Sequence, residues 1–173
     1  MIYKYKSRKN RSFITLMMII NVMLMSSNVF GQEPPPRPIV VTATTQGISF
    51  GSFSQGPAGG TVTIAGNGSR TSSGDIILLT FTPLHSAALF EVVGNPGTVV
   101  SLLPGSTAVL TGSNGGSMLL TVGFTNPASP FIITTVPPAA TLLYVGGTLT
   151  VGAPGSNPPG SYSGTFNITL IQE

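Results

Sequence analysis

Ser161-Tyr162-Ser163-Gly164-Thr165-Phe166-Asn167-Ile168-Thr169-Leu170 sets Tyr, Gly, Phe, Ile and Leu against Ser, Ser, Thr, Asn and Thr in strict alternation. Successive side chains of a β-strand point to opposite faces, so a period of two describes a half-buried strand. The reading predicts one continuous last strand over 162–171, with Tyr162, Phe166, Ile168 and Leu170 turned to a core. Its wet face is hydroxylic instead of charged. Ser and Thr keep that face solvated, and threonine, branched at Cβ, suits a pleated surface better than Lys or Glu does.

Scarcity of charge holds along the whole chain. Of 173 residues, seven are Lys or Arg, four are Asp or Glu, one is His, and there is no Cys or Trp. Charged residues make up 6%, against roughly 25% in an average soluble domain. Working back from the last strand, short β-rich runs recur at 39–45, 48–53, 61–65, 76–81, 87–93, 98–103, 107–111, 118–124 and 141–151. Gly56-Pro57, Gly59-Gly60, Gly66-Asn67-Gly68, Asn95-Pro96-Gly97, Pro104-Gly105, Asn114-Gly115-Gly116 and Pro158-Pro159-Gly160 break them with turn chemistry. Residues 125–140 read as a long connection with a short edge strand at 131–135. About ten strands at this spacing, with no helical period after residue 31, predict an all-β sandwich or barrel.

The net charge of +3 misleads, because five basic residues lie within the first eleven positions. They precede an apolar run, 13–25, and a polar stretch closing on Gly31, the layout of a signal peptide helix. That run is shorter than the roughly 18–20 residues of a membrane-spanning helix. The expected organisation is a signal peptide over 1–31, a stiff leader over 32–38 with four prolines in seven residues, and one β-sandwich domain over 39–173. Residues 32–173 carry Arg37 and Arg70 against Glu33, Asp75, Glu91 and Glu173, a net charge of −2. That balance excludes a basic nucleic-acid surface. The absence of Cys excludes disulfides and a lipid anchor. Export to the periplasm, cell surface or extracellular space of a Gram-negative bacterium is the expected localisation.

Laid in order, three blocks carry a resemblance. Ile48-Ser49-Phe50-Gly51, Gly59-Gly60-Thr61-Val62-Thr63-Ile64 and Asn67-Gly68-Ser69-Arg70 form the first, and 87–94 leading into Asn95-Pro96-Gly97 forms the second. Val145-Gly146-Gly147-Thr148-Leu149-Thr150-Val151-Gly152 and Pro159-Gly160-Ser161-Tyr162-Ser163-Gly164-Thr165-Phe166 form the third. Over residues 40–171 the chain resembles the secreted bacterial domain-of-unknown-function family 4402. More loosely it is similar to archaic chaperone–usher pilins and spore-coat-U-like domains, without the cysteine pair many of those pilins carry. The resemblance implies an immunoglobulin-like, Greek-key sandwich of about 8–10 short strands, and transfers no catalytic or binding residues.

The chemistry available is thin. Gly47-Ile48-Ser49-Phe50-Gly51 spells a nucleophile-elbow motif, with Asp75 and His85 following, but that mechanism needs a strand-to-helix turn and the match sits in a β run. One His and one Asp in 32–173 supply neither a zinc nor a calcium cage. Arg70 and Asp75 are spaced to close a loop by an ion pair. No catalytic residue, metal, cofactor or small-molecule substrate is expected. The expectation is a non-catalytic structural or adhesive surface protein, pilin-like, whose partners are further copies of itself or other envelope proteins. Ile39, Val41 and Ala43, alternating behind the Pro-rich spacer, form a segment suited to strand exchange. The alternatives are a small outer-membrane β-barrel and a secreted serine hydrolase.

Overall fold

The computed structural model describes residues 37–103 and 106–173; the expected signal peptide and residues 32–36 of the leader lie outside the described residues. Thirteen strands follow in order: β1 (Val40–Ala43), β2 (Ser49–Phe50), β3 (Phe53–Ile64), β4 (Arg70–Leu78), β5 (His85–Ser86), β6 (Ala88–Val93), β7 (Val99–Leu102), β8 (Thr107–Gly112), β9 (Ser117–Asn126), β10 (Phe131–Ile132), β11 (Thr141–Val151), β12 (Tyr162–Ser163) and β13 (Leu170–Gln172). No helix occurs among the described residues. The main sheet runs β1-β6-β11-β9-β8-β12, with β3 and β4 joined to it through β11. A β10-β7-β13 sheet and a β2-β5 pair supply the opposing layer. Every pairing between strands is antiparallel. Most neighbours in the main sheet are distant in sequence, because the chain repeatedly crosses between layers.

β11 is the strand on which this assembly depends. One of its edges pairs with β9 over 144–150, while the other is divided, β6 taking 141–145 and β3 taking 147–151. The division falls at Gly146-Gly147, where the β9 register also shifts. A Cβ on Gly146 would overlap the Ile64 carbonyl, and one on Gly147 would sit 2.7 Å from Thr121 O. Glycine is what lets three strands converge there.

Alternation along these strands builds the core. Leu143, Val145, Leu149 and Val151 of β11, Met118, Leu120 and Val122 of β9, and Val62 and Ile64 of β3 are buried, and Phe50, Val100 and Phe131 meet them from the other layer. The main sheet is open, with β1 and β12 at its ends, and its inner side is filled with side chains. The fold is therefore a β-sandwich, and the closed-barrel alternative does not describe it. On the outer side Thr107, Thr121, Thr148, Thr63 and Thr71 stand in direct register across β8, β9, β11, β3 and β4. Within this face Thr63 Oγ1 bonds Thr148 Oγ1 at 3.0 Å and Thr61 Oγ1 bonds Ser73 Oγ at 2.7 Å. Hydroxyls bonded to one another keep the outer surface polar without charge.

Three local expectations are corrected. The last run is two strands, because β12 pairs with β8 in the main sheet and β13 with β7 in the other layer. Residues 164–169 leave one ladder before joining the next, yet remain extended. Tyr162, Phe166, Ile168 and Leu170 keep their inward parity but are half-buried at the core margin, Phe166 meeting Phe90 edge-on at 6.3 Å. The Gly-rich breaks at 56–60 do not end a strand: β3 runs through them as a bulge, so that 56–59 stand opposite Asp75 alone. The stretch 71–75, read as a loop, belongs to β4, so four strand residues separate Arg70 from Asp75.

Two substitutions separate centre from margin. Leu143→Ala, at a side chain with no exposure, is expected to cost about 2–5 kcal/mol in urea unfolding, and Phe166→Ala distinctly less. Gly146→Ala is expected to cost about 1–3 kcal/mol or more, whereas Gly123→Ala, with open space around it, stays near neutral. Equal effects of the two glycine substitutions would contradict the role given to Gly146.

Candidate functional site

β1 is an edge strand held almost entirely by its backbone. Its register runs from Val40 opposite Val93 to Ala43 opposite Phe90, and Thr44 N donates to Leu89 O at 3.1 Å, extending the ladder. Val41 and Ala43 share the inner side of the sheet with Val92 and Phe90, as their alternation predicts. The opposing layer does not cover them, however, and Val41 is 39% and Val40 59% exposed. Ile39, just before the strand, is the one member of the predicted segment that packs against the core.

Two glutamines fasten the ends of this segment. Gln172 at the C-terminal end of β13 accepts from Ile39 N at 3.2 Å and donates Nε2 to Arg37 O at 3.2 Å, so its carboxamide acts as a strand partner would. Gln46 donates Nε2 to Ala87 O at 2.9 Å, and its own carbonyl accepts from Leu89 N at 3.0 Å. Beyond Gln46, Gly47 sits in open space. The strand is thus a short, mostly exposed ribbon between two polar fasteners, followed by Gly47, whose carbonyl accepts from Ser86 Oγ at 3.1 Å.

A second feature is a cleft of about 750 Å³ beside β2 and the start of β3. Its floor is Leu110, Met118 and Leu149, its walls carry Phe50, Phe53 and Tyr162, and no charged side chain lines it. The wall over 154–162 is rigidly held. Asn157, buried, takes Gly152 N on Oδ1 at 2.5 Å and donates Nδ2 to Ser117 O at 2.6 Å, while its carbonyl accepts from Gln55 Nε2 at 2.6 Å. Tyr162 OH donates to Pro158 O at 2.7 Å, and Asn114 Nδ2 to Pro159 O at 2.6 Å. Phe53–Gln55 pair with β4 on one edge only, so the cleft borders a stretch of single-sided backbone.

Arg70 explains the opposite wall. Its guanidinium donates to Phe50 O at 3.0 Å, Ser52 O at 3.2 Å and Leu79 O at 2.7 Å, cross-linking β2, the entry to β3 and the end of β4. The expected ion pair with Asp75 is replaced by carbonyl acceptors; Asp75 instead faces the bulge, where Ala58 N reaches Oδ2 at 3.5 Å. Gly51 between those carbonyls has φ +67, and a Cβ there would lie 2.6 Å from Arg70 Nη1. Glycine supplies both the left-handed turn and the room for the guanidinium.

Of the nucleophile-motif residues, Ser49 and His85 lie on the paired β2 and β5, with Ser49 opposite Ser86 and His85 opposite Phe50. Ser49 Oγ donates to Leu84 O at 2.7 Å. No hydrogen bond joins Ser49, His85 and Asp75 among the described residues. Nor do three His, Asp or Glu side chains come together there as a metal site.

Arg70→Ala is expected to destabilise by about 2–4 kcal/mol, since a charge-assisted donor to three carbonyls is lost, and the loss should persist in high salt because no carboxylate is involved. Asp75→Asn should cost under about 1 kcal/mol. Chemical denaturation at low and high salt checks both, and a salt-sensitive Arg70 contribution would contradict the carbonyl clamp.

Among known families, the model described as "Domain of unknown function (DUF4402)" matches residues 40–171. No curated protein and no solved structure matches the chain.

Proposed function

Starting from the fact that the chain belongs to the family of domains of unknown function DUF4402, we propose that it is an exported, non-catalytic structural or adhesive protein that self-associates through its N-terminal strand. The observation carrying this reading is β1. It is an edge strand whose four residues are all exposed, bounded by polar fasteners and followed by Gly47, where an added Cβ would meet nothing. Exchanging such a strand between copies remakes every contact it had at home, so the cost lies in the hinge and in association, not in lost packing. β-strand addition at sheet edges works the same way, main-chain bonds supplying affinity.

The remaining surface supports the reading. Hydroxyl faces and a net charge of −2 for residues 32–173 give little mutual repulsion between copies. Val40, Phe124 and Leu142 leave apolar area exposed on the outer side of the main sheet. The signal-peptide layout at 1–31 supports export beyond the inner membrane, the setting in which pilin-like strand exchange would be useful.

Deleting residues 32–45 should leave a folded protein that no longer forms oligomers in size-exclusion chromatography with light scattering. Unfolding of the deleted monomer, or oligomers that survive the deletion, would overturn the proposal.

A further inference from the structure

We infer that the loop between β4 and β5, residues 79–84, is a lipid-docking tip whose Phe81 and Leu84 side chains enter the interfacial layer of a bilayer with no net charge. The inference goes beyond self-association and does not depend on β1. Phe81 is 68% and Leu84 72% exposed, and no large apolar side chain among the described residues is more exposed than Leu84. Thr80, Thr82 and Pro83 are exposed with them. Residues 76–84, Ile-Ile-Leu-Leu-Thr-Phe-Thr-Pro-Leu, carry no charge, so no ion has to leave water when the tip enters lipid.

The tip is held in place by side chains from the neighbouring strands. Arg70 Nη2 donates to Leu79 O at 2.7 Å, Ser52 Oγ to Thr82 O at 3.2 Å and Ser49 Oγ to Leu84 O at 2.7 Å. Phe81 and Leu84 are therefore presented on ordered backbone, and docking does not have to order it. Three of the six carbonyls of 79–84 are satisfied by these bonds. The N–H groups of Thr80, Phe81, Thr82 and Leu84 have no protein partner among the described residues, and Pro83 has no N–H. A phosphatidylcholine surface offers phosphate and ester oxygens, which accept hydrogen bonds, and no group that donates one. Free donors beside capped acceptors suit that surface, where an unmatched backbone group is costly.

Size decides between lipid and a protein partner. A stable protein interface takes about 800 Å² from each side, of which one aromatic side chain supplies roughly 150–250 Å². Two side chains on a short loop fall short of that. A lipid contact needs only apolar side chains lying in the headgroup boundary, and its strength grows with the apolar area they bury. With no basic residue in 76–84, the contact is one of apolar insertion and not of attraction to anionic lipid.

Because the chain has no Trp, Phe81→Trp puts a single fluorophore on the tip, and Leu142→Trp, on the outer side of the main sheet, serves as reference. The full exported chain is titrated with phosphatidylcholine vesicles at low and high salt. A saturable blue shift is expected for Phe81→Trp and none for Leu142→Trp, unchanged by salt or by adding phosphatidylglycerol. Leu84→Trp repeats the reading should Phe81→Trp disturb the fold. Partitioning onto vesicles should weaken roughly tenfold or more when Phe81→Ser and Leu84→Ser are combined, with the thermal melt unchanged. No lipid-dependent shift at the tip, an equal shift for Leu142→Trp, or binding that requires anionic lipid would overturn the inference.

Discussion

Three strands must share one: β6 and β3 divide an edge of β11 while β9 takes the other, and the meeting point admits no side chain at Gly146. Everything else follows from that fork. Because β3 and β4 enter on the C-terminal half and β6 and β1 on the N-terminal half, the main sheet acquires two arms. Leu143 and Val145 serve the core under one arm, Leu149 and Val151 under the other. The arm ending in β4 is bound by hydroxyl pairs and the Arg70 clamp. The arm ending in β1 is held by its ladder, two glutamines, the Thr44 hydroxyl on Leu89 O and the packing of Ile39. That asymmetry is the basis of the self-association proposed for the β1 edge.

Charge is scarce because the structure handles its polar groups otherwise. Across β8, β9, β11, β3 and β4 threonines occupy the outer face in register, where β-branched side chains suit the pleat and hydroxyls satisfy one another. Where a buried or half-buried polar group is needed, an amide or guanidinium meets backbone carbonyls, as at Asn157, Gln172 and Arg70. No buried side-chain polar atom lacks a partner among the described residues. Folding without disulfides thus rests on apolar packing plus side-chain-to-backbone bonds.

Much of this was legible in the sequence. The run at 141–151 forms a strand with those limits, and the alternations at 118–124 and 107–111 give β9 and β8. What escaped did so for physical reasons. Thr71-Ser72-Ser73 contains no apolar residue, so no hydrophobic period announces β4; its pairing comes from hydroxyl partners supplied by β3. Gly56-Pro57 and Gly59-Gly60 have turn chemistry, but a bulge opposite Asp75 uses the same conformations without reversing the chain. Arg70 acts on carbonyls 9 to 20 residues away, and such long-range acceptors leave no local pattern. A lone Arg among nearly uncharged strands was the available signal. The cleft joins 50–55 to 154–162, a juxtaposition that only the crossing between layers creates.

The functional reading turns on β1 being an edge strand of the main sheet whose four residues are all exposed. Opening it exposes little apolar surface, so its ladder should break by local fluctuation, whereas β11 and β9 should open only with the whole fold. Native-state hydrogen exchange measures this directly. The account predicts β1–β6 ladder amides exchanging through an opening several kcal/mol smaller than the global unfolding free energy that governs β11 and β9. Protection of the β1 ladder equal to that of β11 would contradict it.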